Sequence, residues 1–176
     1  MLTDNFKTLA KYNQWMNTRI YDCVATMDPM IVKRDLGAFF GSILGTLNHI
    51  LVADLIWLQR IARHPMNFHS LVVLQSQTPP AALNQVLHEE LSSLRQHRRQ
   101  VDAALIALVD ELNDGILDKE LLYQDMKGNS HQNGLGILLQ HLFNHQTHHR
   151  GQVTTLLHQC GAEVGATDLL VMLREK

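Results

Sequence analysis

Residues 135–160 read LGILLQHLFNHQTHHRGQVTTLLHQC. Leu138, Leu142, His145, His149, Gln152 or Val153, Leu156 and Cys160 recur every three to four positions, which is one face of an α-helix. Gly161 supplies the stop. Two histidines therefore stand where the inward stripe calls for apolar side chains. His145 and His149 lie one turn apart on one face, a spacing at which two imidazoles can reach one metal ion. With 11 histidines in 176 residues, chance alone gives about 0.6 such pairs, so spacing by itself is weak. Position on the stripe is the stronger signal. His141 and His148 fall to either side of it.

Outward from this stretch, three more long helical patterns appear. Over about 2–27, Leu2, Phe6, Leu9, Asn13, Met16, Ile20, Cys23 and Met27 alternate by four and three, and Asp28-Pro29 marks the end. Asn13 is the polar member of that seam and must find a partner. Over about 39–62 the chain is apolar nearly all round, which predicts burial on most sides. Asn48, His49 and Asp54 interrupt it. After a loop over 63–80, a third pattern spans about 81–112, with Leu83, Leu87, Leu91, Leu94, Val101, Leu105 and Leu108 inward. Arg95, His97, Arg98 and Arg99 read as its solvated face. Periodicity fails between 113 and 134, where Leu121-Leu122-Tyr123 and Lys127-Gly128-Asn129 suggest a short hairpin or structured loop. Residues 167–174 suit one more short helix, with Thr167 or Asp168 near its cap. The expectation is an all-α fold: a single domain over 1–176, a four-helix bundle with a loop or short hairpin before the last long helix.

Composition narrows the function. The net charge of −2 carries no basic excess, so nucleic acid is not the expected partner. No apolar run reaches membrane-spanning length, and the first residues lack the basic and apolar regions of a signal peptide. Two cysteines, Cys23 and Cys160, make no disulfide framework and read as small residues on packing seams. A soluble cytoplasmic protein is expected, with no membrane partner.

His49 is the third candidate ligand. It sits among leucines and isoleucines in the middle of the second pattern, where a histidine is either hydrogen-bonded or metallated. Two imidazoles from one helix and one from another would place three nitrogen ligands in a bundle core, leaving an open position as catalytic sites do. Asp54 could orient a ligand histidine or, as the favoured reading, pair with Arg150. His64, His69, His88, His97, His131, His141, His148 and His158 read as surface or loop residues with no assigned role.

Three segments also resemble one family. Tyr12-Asn13-Gln14-Trp15-Met16-Asn17 resembles the opening of the DinB family, the DNA-damage-inducible, DinB/YfiT-like metalloenzymes. Residues 47–57 (LNHILVADLIW) resemble its second-helix segment, and 144–152 (NHQTHHRGQ) resemble its C-terminal signature. The segments occur in the family's order, and the likeness runs on through 167–170. This resemblance implies a four-helix bundle holding a divalent metal on His49, His145 and His149, and a homodimer. It also implies kinship with metal-dependent thiol transferases and isomerases that use low-molecular-weight thiols. Zinc or nickel suits three imidazoles best, with iron or manganese next. The expected function is a metal-dependent enzyme, by analogy a thiol-dependent transferase. The alternatives are a metal-dependent hydrolase and a non-enzymatic metal-binding stress-response protein. Asn13, Trp15 and Asn48 are expected to line the pocket or hold the ligands. No His-Glu-x-x-His motif is present, which disfavours a metalloprotease of that type.

Overall fold

A computed structural model describes residues 2–175. It is mostly helical, with one small sheet. In chain order the elements are α1 (Leu2–Ala25), α2 (Pro29–Lys33), α3 (Ile43–Ala62), a 3-10 turn His69–Leu71, α4 (Val72–Gln75), α5 (Leu91–Glu111), α6 (Asp114–Leu117), β1 (Glu120–Gln124), β2 (Ser130–Gly134), α7 (Leu135–Gln159) and α8 (Leu169–Met172). Four helices are long. Each packs on two of the others: α1 on α5 and α7, and α3 on α7 and α5.

Most residues of the predicted stripes become the interior, whereas Leu2 and Leu83 stay exposed. Phe6, Met16 and Ile20 of α1, Leu94, Val101, Leu105 and Leu108 of α5, and Leu138, Leu142, Val153 and Leu156 of α7 are all buried. Nearly every side chain of α3 is buried, as its all-round apolar pattern required. These residues join one contiguous core. Burying each large aliphatic side chain contributes about 1.5–3 kcal/mol.

The boundaries differ from the sequence pattern in informative ways. Asp28 ends α1 by capping the next helix: its side chain accepts from the Met30 N–H, with Pro29 at the first helical position. Helix α3 begins at Ile43 rather than near 39, because Ser42 accepts from the Gly45 N–H as its cap. Gly45 is required for close approach. A Cβ there would sit 2.2 Å from the Phe40 carbonyl oxygen. The carbonyl pressed into this first turn fixes Phe40 beside α3.

Helix α5 starts at Leu91, not near 81. Leu83 and Leu87 keep a helical spacing, but side chains of α3 hold the backbone of 81–90 in another course. Asn48 Oδ1 accepts from the N–H groups of Leu87 and His88, and its Nδ2 donates to the His88 carbonyl. The hairpin is present. Strands β1 and β2 pair antiparallel, with Leu122 opposite Gln132. Asp125 turns the chain by accepting from the Lys127 and Asn129 N–H groups, and Gly128 takes the left-handed conformation at φ 85°.

Candidate metal centre

His49 projects from the middle of α3, and His145 and His149 from one face of α7. The three Nε2 atoms converge. His49 Nε2 lies 3.1 Å from His145 Nε2 and 3.1 Å from His149 Nε2. His49 is buried, 4% exposed. The Phe40 ring stacks on it at 3.7 Å between centroids and meets His149 edge-on at 5.6 Å. The turn organised by Gly45 thus forms one wall of the cluster.

Proton bookkeeping decides what the cluster can do. The Leu83 carbonyl, which can only accept, lies 2.8 Å from His49 Nδ1, so that nitrogen carries the proton. Gln152 Oε1, also an acceptor, lies 2.7 Å from His149 Nδ1. In the neutral rings both Nε2 atoms then point bare lone pairs at each other across 3.1 Å. Two acceptors cannot bond one another, and a cation between them resolves the conflict. The distance suits one. Nitrogens held about 2.0–2.1 Å from a single zinc-like ion, at ligand angles of roughly 90–110°, lie ~2.9–3.4 Å apart. The orienting partners on the far ring nitrogens are the kind that metal-binding histidines need.

The electrostatics agree with neutral, ligand-ready rings. Burial, reinforced by the neighbouring His149 and His49 rings, pushes the pKa of His145 down to about 3. Burial also lowers His49 and His149 from the ordinary histidine value. A folded-state pKa below the unfolded value means that the unfolded chain binds more protons as pH falls below about 6.5. This stability is complete above that pH and is lost on acidification. In metal-free protein, the melting temperature of His145→Leu should therefore rise relative to wild type as pH drops from 7 to 4. A constant difference across that range, measured by circular dichroism, would remove the electrostatic argument.

The cluster opens onto a pocket of about 410 Å³. His49 and His145 border it together with Ala53, Ile56, Trp57 and Leu83, so the walls near the histidines are largely apolar. At its far end it reaches Arg60 and the hairpin turn. His141, which the sequence left unassigned, lines this pocket and meets Trp57 at 5.0 Å between ring centroids.

A family model described as the DinB family matches residues 1–176. The chain belongs to the DinB family. Protein DinB of Bacillus subtilis (strain 168) is 25% identical over 160 residues, spanning 91% of this chain and 88% of that protein. No solved structure matches the chain.

The other residues singled out in this DinB-family sequence divide sharply. Asn48 flanks the centre without touching it. It anchors 87–88, and so holds in place the segment whose Leu83 carbonyl orients His49. Trp15 does not reach the pocket. Its indole N–H donates to Glu175 Oε2, and its ring stacks near Tyr12 and carries Arg19.

Asn13 and Asp54 belong to a buried polar core shared by α1, α3, α5 and α7. Asp54 accepts from Arg98 at 2.5 Å and from Gln146 at 2.8 Å. It pairs with Arg98, not with Arg150 as the sequence suggested, and contacts no histidine of the cluster. Arg150 donates to the Asn13 side-chain oxygen instead. Asp102 accepts from Asn13 and Asn17, each at 2.9 Å, and lies 3.0 Å from Arg98 Nη2.

Arg98, read from sequence as part of a solvated face, is 2% exposed. Burial opposes its charge, but Asp102 and Asp54 outweigh burial and raise its pKa. The signal was available: position 98 fills the only gap in the inward stripe, between Leu94 and Val101. His64 is likewise buried, with Nε2 3.2 Å from the Glu120 carbonyl. Cys23 and Cys160 are free and pack against the core.

Proposed function

We propose that His49, His145 and His149 hold one divalent metal ion, zinc or nickel foremost, and that the protein is a metal-dependent enzyme of the thiol-transferase type. The opposed lone pairs of His49 and His149 carry this reading: a metal ion between them satisfies both, while burial, by lowering both pKa values, disfavours a proton in its place. Bound there, the ion would supply Lewis acidity and lower the pKa of a thiol or water ligand. The protein's own residues do the remaining work. The Leu83 carbonyl and Gln152 fix the tautomers of two rings. Phe40 shields one side. Ala53, Ile56 and Trp57 give the pocket an apolar wall, which favours an apolar electrophile or thiol over a heavily hydrated substrate. The position of His141 on the pocket wall lets it exchange a proton with a bound molecule.

The setting we infer is a four-helix bundle acting as a homodimer, as the family resemblance implies, in the cytoplasm. Light scattering on tag-free protein tests the dimer: a mass of one chain at micromolar concentration removes it.

The function is tested on the same tag-free protein. Elemental analysis should find about one zinc or nickel ion per chain. A panel of low-molecular-weight thiols with electrophilic acceptors should then show turnover that chelation abolishes. Stoichiometric metal without turnover on this panel would favour the non-enzymatic metal-binding alternative.

A further inference from the structure

We propose that the pocket beside the histidine cluster takes a substrate bearing a carboxylate, and that Arg60 is the residue that selects it. The inference deepens the enzymatic reading and rests on it for the reacting end of the substrate. The anion-binding end stands on separate observations.

His49, Ala53, Ile56 and Arg60 follow one another by four, three and four residues on α3 and all line the same pocket. The histidine and the arginine are thus at opposite ends of one helical face, about 16 Å apart along the axis. Arg60 leans back toward the cluster. Its guanidinium carbon sits 4.7 Å over the Trp57 ring, one turn N-terminal, and 5.3 Å from the Tyr123 ring.

Two rings hold the guanidinium, yet among the described residues no carboxylate lies within ion-pair distance of it. Asp125 lines the same pocket, but its oxygens accept from the Lys127 and Asn129 backbone, from Asn129 Nδ2 and from His131. Lys127 adds a second positive charge to the wall. Burial lowers the Arg60 pKa, and Tyr123 and Asp125 offset this only in part, so an arriving anion would stabilise the charge further. A planar fork preorganised on aromatic faces suits bidentate capture of a carboxylate. The apolar wall between the two ends then accommodates a short hydrocarbon chain.

Trp57 provides the readout. The chain has two tryptophans, and Trp15→Phe leaves Trp57 as the only one. In that background the protein is titrated with hexanoate and with hexanamide, following Trp57 fluorescence, once metal-loaded and once after chelation. Hexanoate should bind at least about tenfold more tightly than the amide, in line with a charge-assisted contact. Arg60→Gln should abolish the preference by weakening hexanoate alone, and Arg60→Lys should restore part of it. Equal binding of acid and amide to the parent protein overturns the proposal without recourse to any variant. Retention of the full preference in Arg60→Gln, with folding verified by circular dichroism, overturns it as well. Failure of the metal reading is recorded separately, as absence of metal from the loaded sample. The acid–amide comparison remains decisive in either sample.

Discussion

Arg98→Ala should lower the stability of the protein by about 3–5 kcal/mol, the effect of leaving buried charges without their partner. Arg98 bridges Asp54 on α3 and Asp102 on its own helix, and all three side chains are almost wholly withdrawn from water. Removing it strands two carboxylates in the centre of the four long helices. Against a total stability of about 5–15 kcal/mol, such a loss unfolds a large share of the molecules near physiological temperature. Urea denaturation of Arg98→Ala beside Arg99→Ala provides the measurement, since Arg99 is exposed. A loss below about 1 kcal/mol at position 98 would mean that the ion pairs do not hold the core. The double variant Arg98→Met, Asp54→Leu should recover only part of the loss, because it removes one stranded carboxylate and leaves Asp102 without its cation.

The second large effect concerns metal. His49→Ala and His149→Ala should each reduce bound metal from about one ion per chain to under about a tenth, since two imidazoles seldom retain a divalent ion through purification. His148→Ala should leave the content unchanged. His148 neighbours His149 but points to the exposed side of α7. Mass-spectrometric metal analysis of tag-free protein gives the result. Equal metal in wild type and His49→Ala would falsify the three-histidine site. The fold is expected to survive the His49 substitution, because Asn48 still holds residues 87 and 88 when His49 is gone.

Much of this was legible in the sequence because helices display their interior as a repeat. The stripes of α1, α5 and α7 gave the core directly. The same stripes drew His145 and His149 out of four clustered histidines, and the all-round apolar character of α3 drew out His49. What failed to show was whatever depends on backbone groups or on partners distant in the chain. Leu83 orients His49 through its carbonyl, which no side-chain pattern encodes. Residues 81–90 keep a leucine spacing but are diverted by Asn48, 39 and 40 positions away from the groups it binds. Arg98 reads as solvated from its charge, although its position lies on the inward stripe. A lone arginine on an apolar stripe is costly to bury, yet two carboxylates from elsewhere in the fold make it tolerable. The pattern marks Asp54 as buried, but its charged partner comes from α5 while α7 supplies only Gln146, and nothing local distinguishes the two helices as the source.

The convergence of His49 with His145 and His149 joins positions 96 and 100 residues apart. An ion held by all three would act as a removable rivet between the two halves of the chain. The unfolded polypeptide has no comparable arrangement, so every tenfold of free ion above the dissociation constant adds about 1.4 kcal/mol to the folded state. Resistance to proteases would then rise and fall with the metal supply, and a cell starved of the ion would accumulate less of the protein even at constant synthesis.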